Sequence, residues 1–168
     1  LLYHFSEDPA ITRFEPLKLQ SRPELPAMVW TIDEEHAPHY YFPRECPRVC
    51  IWADAKTTDE DVERFFGHSA TRHVLAIEAD WLERMRETKL YRYAFHEQDF
   101  ALHDANAGYH TSMVTVIPAV VDPVGDLITR IVSCGHELRI TPSLMPLQEA
   151  VLRSTVNFSM IRMRNAKK

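Results

Sequence analysis

Leu1-Leu2-Tyr3-His4-Phe5-Ser6-Glu7-Asp8-Pro9-Ala10-Ile11-Thr12-Arg13-Phe14-Glu15-Pro16 packs a short apolar strand, a histidine and a turn into one unit at the start of the chain. Leu1, Leu2, Tyr3 and Phe5 have the composition of a buried strand, and Ser6-Glu7-Asp8-Pro9 is a turn or helix-start signal that stops it. His4 therefore falls near the end of a core strand, where a side chain can look into a cleft. The alternative is a core or edge histidine bonded to a neighbouring carbonyl, since one histidine is weak evidence for a site.

Working outward, residues 15 to 27 carry Pro16, Pro23 and Pro26 and read as an irregular surface connection. Met28 to Ile32 and Arg48 to Trp52 are strand patterns, and Asp33-Glu34-Glu35 between them reads as a helix N-terminus that leads to Tyr40 and Tyr41. Thr57 or Thr58 opens an amphipathic helix through Phe66, which Gly67 can terminate. His73 to Ile77 is a strand, Trp81 to Glu87 a helix with one apolar face, and Leu90 to Phe95 a further strand. His103 to Gly108 reads as a loop. Tyr109 to Val121 is β-branched and interrupted by Pro118. Asp122-Pro123 reads as a helix cap followed by proline at the first position, with Gly135 past the end. Leu138 to Thr141, Leu147 to Arg153 and Thr155 to Met163 read as strand, helix and strand. Strands outnumber helices and several lack crossovers, which predicts an α+β fold with a mixed, largely antiparallel sheet and flanking helices.

The chain has 168 residues, which most simply make one domain over residues 1–168. With 19 Lys and Arg against 24 Asp and Glu, the net charge of −5 lacks the basic excess that a phosphate backbone requires, so nucleic acid is not expected as a partner. The basic run Arg162 to Lys168 reads as a solvated tail. No apolar run reaches the roughly 20 residues of a membrane helix, no leader pattern is read, and three cysteines do not make a disulfide framework. A cytoplasmic protein without membrane contact is expected.

Several constellations invite chemistry. His36 and His39 with Cys46 and Cys50 have a metal-like composition, but Cys46 lies four extended residues from Cys50, roughly 13 Å, too far to share one zinc. No metal is expected. Cys134 falls at a helix C-terminus, where the dipole disfavours a thiolate, so it reads as a buried cysteine beside a glycine cap. Glu78 and Asp80 flank a strand end and could act as acid and base, yet they equally suit the start of the next helix. The four glycines are scattered, which leaves no Gly-rich phosphate loop. A nucleotide could still bind a cleft of strand ends and aromatic rings, for which Tyr3, Trp30, Tyr40, Tyr41 and Tyr109 are available.

Through Leu2–Pro16, Val29–Arg44, Trp81–Tyr93 and Glu137–Leu147 the whole chain resembles an uncharacterised family of bacterial proteins. More distantly, its first two thirds resembles the ADP-ribosyltransferase fold, in particular the small bacterial enzymes that modify rifamycins. Tyr3-His4-Phe5-Ser6 is similar to that fold's Tyr-His-Gly-Thr strand end, Met28-Val29-Trp30-Thr31 with Tyr40 to its second strand and following helix, and Leu90 to Asp104 with Tyr109-His110-Thr111-Ser112 to its strand and acidic loop. The chain departs from the pattern at Phe5, which replaces a glycine, and at Trp30, which replaces the stacking tyrosine.

The resemblance implies a split sheet and NAD as a co-substrate. It implies Tyr3, His4, Ser6, Trp30, Thr31, Tyr40 and Tyr109 as nucleotide-binding residues, and His4 and Asp104 as the catalytic ones. His4 and Ser6 would orient the ribose, Trp30 would pack on nicotinamide, and Asp104 would face the charge that develops at the ribose carbon. Two classes remain open: ADP-ribosyl transfer to an unidentified acceptor, and a non-catalytic binding protein that keeps the cleft, which Phe5 and Trp30 favour. An enzyme of another kind, for example a hydrolase using Glu78 or a histidine cluster, is a third.

Overall fold

A computed structural model describes all residues, Leu1–Lys168. The chain forms two compact units, each assembled from two separate stretches: Leu1–Tyr41 with Lys89–Gly125, and Phe42–Thr88 with Asp126–Lys168. The class is α+β, with one sheet in each unit and four α-helices.

The first unit is a six-stranded sheet of β1 (Leu2–Ser6), β2 (Val29–Ile32), β5 (Tyr91–Phe95), β6 (Ala101–Asp104), β7 (Tyr109–Ser112) and β8 (Val120–Pro123). Its order is β6-β7-β2-β1-β5-β8 and every pairing is antiparallel. One face carries a core of Val29, Tyr93, Phe95 and Val116, against which Ile11, Phe14 and Phe100 pack. Tyr93 also pins the connection after β1, because its fully buried hydroxyl donates to the Asp8 carbonyl and accepts from the Ile11 N–H. Phe14 and Val116 exchange backbone hydrogen bonds of 2.8 and 3.0 Å, which fastens the long connection down.

The second unit is a four-stranded sheet of β3 (Arg48–Trp52), β4 (His73–Glu78), β9 (Glu137–Thr141) and β10 (Asn157–Ile161), in the order β10-β3-β4-β9. Only β4 and β9 run parallel. Helices α1 (Asp59–Phe66) and α4 (Met145–Leu152) supply Phe65, Phe66 and Val151 to a core with Val49, Ile51, Val74 and Ala76. Each buried Phe, Val or Ile side chain of this set contributes about 1.5–3 kcal/mol. Met85 of α2 (Leu82–Glu87) and Leu127 and Ile131 of α3 (Leu127–Ser133) are fully buried as well. No helix is long and apolar enough to cross a membrane.

The strand and helix patterns in this unit hold to within two residues, because their caps are local. Thr58 accepts from the Asp61 N–H at the start of α1. Asp61 then receives the Thr155 hydroxyl and N–H, which hold its carboxyl below the usual range. Elsewhere tertiary pairing overrides local signals. Asp122-Pro123 is the end of β8, not a helix start, since an edge strand tolerates proline and Gly125 at φ 85° turns the chain first. The cap of α3 is Asp126, bonded to the Thr129 N–H at 2.8 Å. His103 and Asp104 belong to β6, where a loop was expected.

The C-terminal run is docked. The Lys167 N–H donates to both oxygens of Glu78 at 3.1 Å, and Lys167 Nζ pairs with Asp80 at 2.8 Å. Glu78, only 1% exposed, also receives the Leu144 N–H at 3.0 Å, so it caps the start of the distant helix α4 and not the helix that follows it. Replacing Glu78 with Ala takes the acceptor from the buried Leu144 N–H, at about 1–3 kcal/mol, and from the part-buried Lys167 N–H, at less. Urea denaturation should show that loss, with an unchanged midpoint arguing against this role.

Candidate functional site

Pleating decides which sequence-picked residues can meet. Across β1, β2 and β7, Tyr3 lies opposite Ile32, Ile32 opposite Tyr109, and Trp30 opposite Thr111. Side chains alternate along a strand, so Tyr3, Phe5, Trp30 and Tyr109 share one face of the six-stranded sheet. His4, Ser6 and Thr31 go to the other, where His4 stands opposite Tyr93.

On the second face His4 Nδ1 lies 3.0 Å from the Trp30 carbonyl, and its ring meets Phe14 edge-on at 4.9 Å. Ser6 Oγ accepts from the Asp8 N–H at 3.1 Å, and the Thr31 hydroxyl donates to the His110 carbonyl at 2.9 Å. Asp104 is exposed. Its carboxylate accepts from the Asn106 and Ala107 N–H groups at 2.9 and 3.1 Å and so closes the turn between β6 and β7.

The first face holds a cluster of rings. Trp30 meets Tyr109 edge-on at 5.8 Å and His103 at 4.8 Å. His103 reaches it through an irregularity between Leu102 and Asp104, where one extra residue re-aims the strand. Tyr40, from the 3-10 helix Ala37–Tyr40, shares a 2.6 Å hydroxyl contact with Tyr109. Trp30 Nε1 is buried and has no hydrogen-bond partner. Arg92 lies over the Tyr3 ring at 4.8 Å, while burial, with Glu34 adding to it, raises the Tyr3 pKa. Phe5 packs edge-on against Tyr41 at 5.5 Å on this same side.

Beside the rings lies a polar pair that the sequence reading did not single out. Asp33 Oδ1 accepts the His36 N–H at 2.8 Å and lies 2.7 Å from His36 Nδ1, with His36 9% exposed. The expected helix N-terminus at Asp33-Glu34-Glu35 is thus a turn closed by a carboxylate onto a histidine three residues on. The Asp-x-x-His spacing was the available signal. Gly108 completes the pair: its carbonyl accepts from the Asp33 N–H at 2.9 Å, and its φ of 78° suits glycine.

Outside this unit, Cys46 and Cys50 are buried and burial pushes both thiols up to about 12. Cys134 is exposed, not buried as its glycine neighbour implied, and its Sγ donates to the Arg130 carbonyl at 2.9 Å. No three His, Cys, Asp or Glu side chains converge as a metal's ligands would. A cleft of about 570 Å³ beside α4 is lined by Arg139, Thr141, Ser143, Pro146 and Leu147 among others. Its polar groups are spent internally: Arg139 donates to the Phe65 carbonyl at 2.7 Å and pairs with Glu137, and Thr141 donates to the Ser143 carbonyl.

The fold and site together define an α+β protein with an aromatic cluster on one face of an antiparallel sheet. The chain belongs to the Family of unknown function (DUF6886), whose match runs over residues 3–166. No curated protein and no solved structure matches it.

A methyl at position 108 would stand 2.5 Å from His36 Nδ1 and 2.8 Å from Asp33 Oδ1. Gly108→Ala should therefore cost more than the roughly 1–2 kcal/mol of a left-handed residue alone, read from denaturant midpoints. Iodoacetamide on the native protein near neutral pH should label Cys134 first, with Cys46 and Cys50 alkylated only after denaturation, as mass spectrometry would show.

Proposed function

We propose that the aromatic face of the six-stranded sheet binds the ring of a nicotinamide nucleotide, with NAD as the ligand, and that the reaction served is ADP-ribosyl transfer to an acceptor from another molecule. The observation that carries this reading is Trp30: a half-buried ring among Tyr109, Tyr40 and His103 whose buried N–H lacks an acceptor. A planar ring bearing a carbonyl would supply both a stacking partner and that acceptor. The carboxamide of nicotinamide has this form. Tyr3, Tyr40 and Tyr109 complete the ring's surroundings.

His4, Ser6 and Thr31 would meet the ribose only round the end of β1, since they lie on the opposite face. Asp104, released from its turn, would oppose the positive charge at the ribose carbon as nicotinamide departs. The bacterial source belongs to the same proposal and rests on the resemblance, and the cytoplasmic setting rests on the three free cysteines.

A second reading, binding without chemistry, has its own support. Phe5 takes up room on the ring-bearing face, and the Asp104 carboxylate is committed to two backbone N–H groups.

Calorimetric titration of the full chain with NAD separates these outcomes. Saturable binding that Trp30→Ala weakens tenfold or more, about 1.4 kcal/mol, supports the site. Release of nicotinamide that Asp104→Asn abolishes at unchanged NAD affinity supports cleavage of the glycosidic bond, and ADP-ribose found on an acceptor and not free in solution supports transfer. Binding with no nicotinamide released supports the second reading, and no binding at millimolar NAD overturns the first and leaves a binding module for another ligand.

A further inference from the structure

The second unit carries a row of three rings across its sheet, and the NAD proposal makes no use of it. Trp52 of β3 lies opposite His73 of β4, with the rings stacked at 5.3 Å and 24°. His136 then stacks on His73 at 3.9 Å, also at 24°. His136 directly precedes β9, following Gly135 at φ 88°. Strand β9 is the sheet's edge, hydrogen-bonded only to β4 and in parallel. The histidine stack therefore closes the ladder at the end where β9 begins.

Both ring nitrogens of His136 are shielded from solvent and no partner meets them at good hydrogen-bond geometry, although the Cys134 and Gly135 backbone lies close. A neutral imidazole tolerates this at modest cost. An imidazolium has two N–H donors and a full charge to satisfy, and this one would lie against a second histidine. We propose that the His73–His136 stack is an acid-sensitive clasp, holding the start of β9 to β4 while neutral and releasing it when His136 is protonated.

The surrounding titratable groups do not supply a counter-charge. β4 presents His73. From α3 come Cys134, whose thiol burial raises, and Arg130, a cation. On β9, Glu137 is pulled two ways: burial opposes its ionisation, and bonds from Arg139 and Ser69 outweigh that. Its charge is thus already matched by Arg139 on the same strand. β3 presents Trp52, which does not titrate. Burial pushes His136 below the usual histidine range, and the Cys134 and Gly135 backbone offsets only part of that.

The sign follows. A histidine whose folded pKa is depressed binds its proton more readily when unfolded. Its contribution to stability is complete above the ordinary value of 6.5 and is lost as pH falls through the folded value. The strand released first is β9, with Arg139 and Thr141 of the adjacent cleft.

Two measurements test this. In the wild type, the ring protons of His136 should titrate below the ordinary histidine value in NMR spectra. Amide exchange of Glu137–Ile140, corrected for intrinsic rates, should accelerate on acidification by up to about tenfold per pH unit, the limit for one linked proton, while β3 stays protected. His136→Phe, which keeps a stacking ring and removes the titration, should flatten that dependence. Titration at or above the ordinary value overturns the clasp, even if the variant does not fold. So does an unchanged pH dependence of β9 exchange in His136→Phe.

Discussion

Strand pleating in the six-stranded sheet is the constraint on which the rest of the first unit depends. β1 and β2 are its central strands, each paired on both edges, so neither can slip by one residue without turning every side chain over. The buried set of Val29, Tyr93 and Phe95 holds that register in place. Once one face is spent on the apolar core, the other receives Tyr3, Phe5, Trp30 and Tyr109. The ring cluster is thus a by-product of the register that builds the core, which makes its position rigid without dedicated support.

The second unit solves a different problem. Its sheet is short and has a parallel edge, and it is held together by carboxylates placed far from their partners in sequence. Glu78 joins the start of α4 to the C-terminal segment, and Asp61 joins α1 to Thr155. Each accepts from backbone N–H groups that would otherwise be stranded, so each does more for stability than an exposed ion pair could.

How much of this was legible depended on range. The Thr58 cap and the strands at Arg48 and His73 are local patterns, and sequence periodicity found them. Asp122-Pro123 looked like a helix cap because both residues favour that role locally; only pairing of β8 with β5 makes it a strand. β6 was missed because all four of its residues are exposed and offer no alternation. In the candidate site, Trp30, Tyr40 and Tyr109 were legible as aromatics near strand ends. Their separation from His4, Ser6 and Thr31 by the sheet itself followed from strand alternation but needed the register. The Asp33–His36 pair is local and its spacing was legible, whereas its closure by Gly108, some seventy residues on, needed the fold.

Both units are completed late. β1 waits for β5, and β3 waits for β10, so neither sheet closes from one continuous stretch of chain. The direction of synthesis nevertheless supplies their strands in a fixed order. Every strand of the six-stranded sheet has emerged by Pro123, whereas the four-stranded sheet lacks β9 until Glu137–Thr141 and β10 until Asn157–Ile161 are made. Until then β3 and β4 can offer only an antiparallel pair, joined through α1, with two open edges, while the other sheet already has its full set of strands. That interval is when the chain has most to gain from a chaperone, and the edges at risk are those of the second unit.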